Sequence, residues 1–569
     1  MSQPLLNAPK WSDHGLGLGA AAVYMVLLVV TSADVGVPRD ESFYFYGADR
    51  AAEWYAGLVD SDVRSFSRAE IDRGFKYNHE HPVLMKSLFG LSHRLFVDVL
   101  GWTDEHALAY RLPTMAMASL ALWLAFLLGV MVHSRLAGLF AVLALAFMPR
   151  VFFHAHLACF DAPVTFMWVA IAYAYLRAMR SRRWAIVTGV ALGLGFATKL
   201  NIFFLPFTLL GVSLFDVWQF KRRTGAWRAP DGERGPLTYH TCIGLSMIFI
   251  GAFVFWAHWP WLYYDLVPRL REYVTFHARH VHYPVDYLGF LYFKPPFPVH
   301  FPFVFMVLTV PVGILVTGAV GLAVIARRGL ADWRDVSPSA PDRRVVDVFL
   351  LANLAAPIVV IALPYTPIFG GTKHWMPAMP FLAVLAGVGV VRIGRGLFVS
   401  STGAALRLRT ALLGAAMFAP AVWATAEYGA HGPAYYNGLA GGPPGAAEMG
   451  MPRNFWGYST VAVLPAVNEQ VEKRGYVFWH KATKWAIDAY QRDGLLRKDV
   501  RYTGDWTAEF SDWAVYHDQR EKLPEELDVW RAYGTMLPVE GHYIDGVQIM
   551  AVYHRPSPPE KPLIPAGGR

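Results

Sequence analysis

Apolar residues run through this chain in long blocks, and the length of the blocks sets the first expectation. A helix needs about 17 to 25 mostly apolar residues to cross the hydrocarbon core of a bilayer with its own backbone satisfied. About eleven such stretches occur, near residues 15–33, 113–132, 136–153, 163–178, 184–198, 202–219, 240–260, 301–326, 345–365, 375–391 and 410–428. Two other stretches have a shorter rhythm: Tyr44, Ala48, Ala52, Tyr55 and Val59, then Leu84, Leu88, Leu91, Leu95 and Val99. That spacing predicts amphipathic helices lying in the membrane interface. Between 261 and 300 aromatic, His and Pro residues crowd together, the composition of an aromatic belt at headgroup depth. Beyond the run Gly441, Gly442, Pro443, Pro444, Gly445 apolar density falls, and 476–479, 513–516 and 547–553 read as short strands. The pattern predicts a polytopic α-helical membrane protein with interfacial helices and a small C-terminal α/β domain. Residues 1–428 form the membrane part, with 34–110 as its first extracytoplasmic loop, and 429–569 form a linker and an extracytoplasmic domain.

Composition agrees. Of 569 residues 55% are hydrophobic and 17% charged, with a mean hydropathy of +0.31, which excludes a disordered chain. Two cysteines exclude a disulfide-stapled scaffold, and Cys159 and Cys242 fall in or beside different apolar segments as packing residues. The net charge of +8 changes the picture only through its distribution. One set of short loops holds Lys10, Arg135, Arg177, Arg180, Arg182, Arg183, Lys221, Arg222, Arg223, Arg228, Arg234, Arg327, Arg328, Arg334, Arg343, Arg344, Arg392, Arg395, Arg407 and Arg409. The alternate loops hold only Lys199, Arg269, Arg271, Arg279, Lys294 and Lys373. Positive residues stay inside, so the N-terminus is expected in the cytoplasm and 429–569 outside, with the first segment kept as an anchor. Membrane lipids, and no nucleic acid, are the partners this charge distribution implies.

The residues that need a chemical reason gather on the outer side. Asp40 and Glu41 follow the first span and precede an aromatic interfacial helix, where carboxylates beside a partly dry crevice suit general-base chemistry. Asn78, His79, Glu80 and His81 form a second cluster, and His154, His156 and Asp161 a third. Imidazole and carboxylate together suit a divalent metal, although H-E-H lacks the helical spacing of hydrolytic zinc sites. Arg111, Lys199 and Lys373 lie on the side where the positive-inside bias does not explain them, and three such cations suit a phosphate at headgroup depth.

Taken in order, these pieces resemble the GT-C superfamily of membrane glycosyltransferases, in the branch of protein O-mannosyltransferases and lipid A aminoarabinose transferases. Asp40-Glu41 is similar to that family's acidic motif, 80–86 (E-H-P-V-L-M-K) to its H-P-P-L-x-K stretch, and 110–113 to its Arg-x-Pro entry to the second span. Residues 157–165 (L-A-C-F-D-A-P-V-T) resemble its Leu-Asp-x-x-Leu-Thr segment and 193–201 (G-L-G-F-A-T-K-L-N) its Gly-x-x-x-x-Thr-Lys segment. Tyr435-Tyr436-Asn437, Gly441-Gly442 and Trp456-Gly457 resemble a run in bacterial members, which implies a bacterial inner membrane. Val83 replaces the second Pro of the family's run, and Asn454-Phe455 its Asp-Tyr. The resemblance implies an inverting glycosyltransferase that moves a sugar from a polyprenyl phosphate to an acceptor hydroxyl on a protein, lipid or glycan, on the extracytoplasmic side. It implies Asp40 as base with Glu41 beside it, Arg111, Lys199, Lys373 and Lys86 as donor-phosphate ligands, and Glu80 and Asp161 either as ligands of a divalent metal, the one cofactor in view, or as acceptor-binding residues. A transporter or lipid flippase without transfer activity is the alternative, and such proteins place charged sites near the midplane, often with an internal repeat.

Overall fold

A computed structural model describes residues 8–230, 234–333, 343–504 and 508–556; Arg334, counted above with the inner cations, lies outside them. The protein is a polytopic helical membrane protein with a small sheet domain at its C-terminal end. The eleven apolar stretches fall largely in helix, but they are not equal. Among the described residues eight helices are long and apolar enough to cross a membrane, or up to nine if one bent pair counts as a span. The expected span at 136–153 is that pair: Arg135–Ala146 and Pro149–His156 meet at 71°. Met148 is extended and Pro149 opens the second helix, because proline cannot continue the first one's hydrogen bonds but suits a first turn. Two other expected spans, now Asp161–Ala178 and Arg182–Phe196, are shorter or more polar than the eight.

Both amphipathic stretches are helical. The helix Arg39–Val59 buries Tyr44, Phe45, Ala48, Ala51 and Ala52. The helix Leu84–His93 lies so close to it that a Cβ on Gly90 would stand 2.1 Å from the carbonyl oxygen of Ala48. The aromatic region forms the helix Leu266–Ala278 and an antiparallel hairpin, Val285–Tyr287 with Phe290–Tyr292. The hairpin reaches the C-terminal domain through Asp286 and Arg520, 3.4 Å apart.

That domain holds a five-stranded sheet, with Tyr476–Trp479 parallel to both Arg501–Tyr502 and Trp513–His517. Val547–His554 runs antiparallel between Trp513–His517 and the edge strand Glu540–Ile544. Its helix Lys484–Arg492 docks on the start of Arg39–Val59. The Val37 N–H donates to the Tyr490 hydroxyl at 2.7 Å, and the Ser42 and Thr483 hydroxyls are 2.7 Å apart. Asp493 accepts from the N–H groups of His106 and Ala107, capping the first turn of the long helix His106–Val132. Val35, Val37 and Tyr44 share one apolar core with Val477, Trp479 and Tyr490.

Candidate functional site

Asp40 and Glu41 occupy the first turn of Arg39–Val59, where unpaired backbone N–H groups favour negative charge. A helix turns about 100° per residue, so the two carboxylates point to different places. Glu41 is fully buried. Its oxygens accept from Arg111 Nε at 2.8 Å, Arg111 Nη2 at 2.7 Å and the Ala158 N–H at 2.6 Å. Asp40 keeps its side chain one-third exposed, at 33%, and faces two cavities.

This arrangement corrects two of the expected phosphate ligands. Arg111 has five N–H donors, and besides its two bonds to Glu41 it donates to the carbonyl oxygens of Val35 and Gly36 at 2.8 Å and of Ser32 at 3.4 Å. All five are spent, and Arg111 lines neither cavity. It is a buried strut that holds the turn bearing Asp40 against the chain just after the first helix. Lys86 is likewise consumed: its ammonium donates to Asn78 O at 2.6 Å, His81 O at 3.0 Å and Asn78 Oδ1 at 3.4 Å. Burial pulls Lys86 down to about 7, despite the carboxylate of Glu80 nearby. Glu41, expected beside the catalytic base, belongs to the same strut.

Lys199 and Lys373 are placed differently. Lys199 donates to Asp161 at 2.5 Å and keeps two donors toward a cavity of about 600 Å³ that also takes in Asp40, Glu80, Asp161 and Lys373. The rest of its wall mixes polar side chains, among them Asn78, His81, His277 and His374, with the apolar side chains of Phe204, Phe276 and Leu363. A second cavity of about 380 Å³ lies between the bundle and the C-terminal domain, lined by Arg150, Phe305, His480, Lys481 and Glu521. Asp40, Lys373 and Trp456 line both, so the two spaces meet there. Lys373 Nζ stands 3.6 Å from Asp40 Oδ2.

The metal expectation does not fit. Among the described residues no group of three or more His, Cys, Asp or Glu side chains stands close enough to hold an ion. Asp161 has the Lys199 ammonium as its partner, with His154 Nδ1 at 3.9 Å, and the Asn78 side chain donates to Glu80 Oε1 at 2.7 Å. Burial, with Lys199 and Lys86 nearby, holds His81 well below the usual imidazole range, so it stays neutral.

Two site residues carried no role in the sequence. Arg150 is 4% exposed, stacked 4.8 Å from the Phe305 ring and 4.9 Å from that of Tyr436, and donates to the Tyr435 carbonyl. The signal was available, since an arginine inside an apolar run is costly enough to ask for a function. Trp456 sat in a recognised run with nothing to say which way its ring faced.

Residues 80–228 match the model of a family described as dolichyl-phosphate-mannose-protein mannosyltransferase. No curated protein matches the chain. Among solved structures, ArnT from Cupriavidus metallidurans bound to undecaprenyl phosphate is 14% identical, with 95% of this chain and 98% of that one covered and a TM-score of 0.49. The oligosaccharyltransferase AglB from Archaeoglobus fulgidus, in complex with an inhibitory peptide and a dolichol-phosphate, is 13% identical over 95% of this chain and 75% of its own, with a TM-score of 0.46. The matched stretch holds Glu80, Lys86, Arg111, Asp161 and Lys199, so the resemblance to membrane glycosyltransferases of the mannosyltransferase branch, read from those motifs, is borne out over residues 80–228.

Proposed function

We propose that the protein is an inverting glycosyltransferase that takes a sugar from a polyprenyl phosphate and places it on an acceptor hydroxyl at the extracytoplasmic side of the membrane. The observation that carries this reading is the meeting of two cavities at Asp40, the larger one holding Lys199, Lys373 and the apolar side chains of Phe204 and Leu363, the other bounded by the C-terminal domain. The isoprenoid tail lies along Phe204 and Leu363, and the phosphate sits between Lys199 and Lys373. The family match over 80–228 and the undecaprenyl phosphate and dolichol-phosphate bound by ArnT and AglB agree with a carrier of this kind. The acceptor enters from the second cavity, between residues 1–428 and 429–569.

In this scheme Asp40 accepts the proton of the acceptor hydroxyl, whose oxygen bonds to the anomeric carbon from the face opposite phosphate. The bond from that carbon to the phosphate oxygen breaks, and the electron pair leaves with the polyprenyl phosphate. A phosphate already leaves well, so no acid is needed to protonate it. The base contributes about a hundred- to ten-thousand-fold in rate, and the lysines stabilise the charge left on phosphate. Asp161 keeps the Lys199 ammonium aimed into the cavity. A transporter is the weaker reading because the polar groups converge at one end of the bundle rather than at its middle.

The test is transfer of radiolabel from a panel of polyprenyl-phosphate sugars by the purified protein, with crude envelope as acceptor. Asp40→Asn should abolish product while saturable binding of undecaprenyl phosphate persists. Full turnover by that variant would remove Asp40 as the base.

A further inference from the structure

The three cations first considered for phosphate differ in how many of their donors the protein already uses. Arg111 spends all five and Lys199 one, whereas the Lys373 ammonium makes no hydrogen bond among the described residues. Two weaker contacts hold it. It lies 3.6 Å from Asp40 Oδ2 and 4.0 Å above the centre of the Trp456 ring, with the Phe369 ring further off at 5.2 Å. A cation over an indole face is attracted by the ring's quadrupole.

The ring itself cannot follow the ammonium. Trp456 has φ +78°, in the left-handed region that large side chains avoid, and Gly457 follows at +72°. The segment is clamped there from both sides. The Trp456 carbonyl accepts the Arg39 N–H at 2.8 Å, at the turn that bears Asp40. A Cβ on Gly36 would stand 2.0 Å from Tyr458 O, and one on Gly457 would stand 2.8 Å from Lys481 O. The indole is thus a fixed wall lining both cavities, and the Lys373 ammonium rests against it at the end of a flexible side chain.

Resting on the reading of the larger cavity as the donor site, we propose that Trp456 is a positioning residue acting through Lys373. Without donor, the indole face and Asp40 together retain the ammonium. The donor phosphate draws it away from both, because charged oxygens satisfy N–H donors that a ring face and a distant carboxylate leave unmet. Asp40 then loses that contact once donor is in place.

The inference is tested by binding alone, with undecaprenyl phosphate as probe, on the purified full chain in nanodiscs. Trp456→Asn removes the ring with a residue that tolerates the left-handed backbone, and Trp456→Phe keeps a weaker ring. Freed of its retaining contact, Lys373 should bind the probe about 2- to 30-fold more tightly in the Asn variant, with a smaller gain in the Phe variant. The gain should vanish when Lys373→Met is added. A purely structural role for Trp456 would weaken binding instead. Unchanged or weaker binding in the folded variants, or a gain that survives Lys373→Met, overturns the proposal while the donor reading stands. Absence of saturable binding by the unaltered protein would remove the donor reading and this inference with it.

Discussion

Asp40 and Glu41 are adjacent carboxylates, yet Glu41 is sealed against Arg111 and Asp40 faces two cavities. Removing one member of a buried ion pair leaves the other uncompensated and costs about 3–5 kcal/mol. Glu41→Gln is therefore expected to lower the melting temperature and yield of detergent-solubilised protein, whereas Asp40→Asn melts close to the unaltered chain. Equal melting of the two variants would contradict the strut. The same limit applies to the expected phosphate ligands: the candidate cations stand out in the sequence, but which of them are consumed by carbonyl oxygens does not. Lys86 and Lys199 look alike until the loop at Asn78 and His81 closes over the former. Glu521, at the second cavity, adds a pH-dependent case. Burial, reinforced by the Asp286 carboxylate, pushes it from 4.5 up to about 7. A raised folded-state value favours the fold below the unfolded value, and that contribution is lost as pH rises through the folded one. Between about pH 4.5 and 7 the native chain thus loses up to about 3 kcal/mol that Glu521→Gln retains. The variant should match the unaltered protein in melting at pH 4.5 and exceed it at pH 8; coincidence at both values would place Glu521 in free contact with water.

Elements were read best where one period persists. The three runs that alternate are three of the five strands, and both amphipathic stretches are helical, because alternation and helical spacing are local properties. Arg501–Tyr502 and the hairpin Val285–Tyr287 with Phe290–Tyr292 are too short to carry a period, and Glu540–Ile544, half-exposed at the sheet edge, lacks an apolar alternation. The bend at Pro149 was also passed over, as an apolar count across 136–153 does not weigh the missing N–H. Helix contacts within the bundle depend on small residues that let backbones approach. A Cβ on Gly389 would stand 1.9 Å from Thr317 O, and one on Gly321 would stand 1.9 Å from Leu385 O, so the helices Val312–Trp333 and Met379–Leu397 touch at two glycines. Gly389→Val cannot be absorbed by a side chain moving aside, because the obstacle is backbone. It should destabilise the bundle by several kcal/mol, about the upper range for overpacked cores, and show as loss of monodisperse protein on size exclusion. Normal behaviour of that variant would mean the two helices separate easily.

At the scale of the whole molecule, orientation decides which compartment can supply an acceptor. The connection between Leu205–Thr224 and Pro236–Ala257 carries Lys221, Arg222, Arg223, Arg228 and Arg234, while the end of the bundle that bears Asp40, Lys199 and Lys373 meets the C-terminal domain. With basic loops kept in the cytoplasm, the two cavities and the sheet domain are expected on the outer side together. They cannot be separated, because Asp493 caps the first turn of His106–Val132 and Tyr490 binds the chain just before Asp40. In a Cys242→Ser background, with Cys159 buried, a single cysteine at exposed Lys473 or exposed Ala226 reports on each side. Lys473→Cys should react with a membrane-impermeant maleimide in intact spheroplasts, and Ala226→Cys only after permeabilisation. The reverse labelling would turn both cavities toward the cytoplasm, where a donor presented from outside would not meet Asp40 at all.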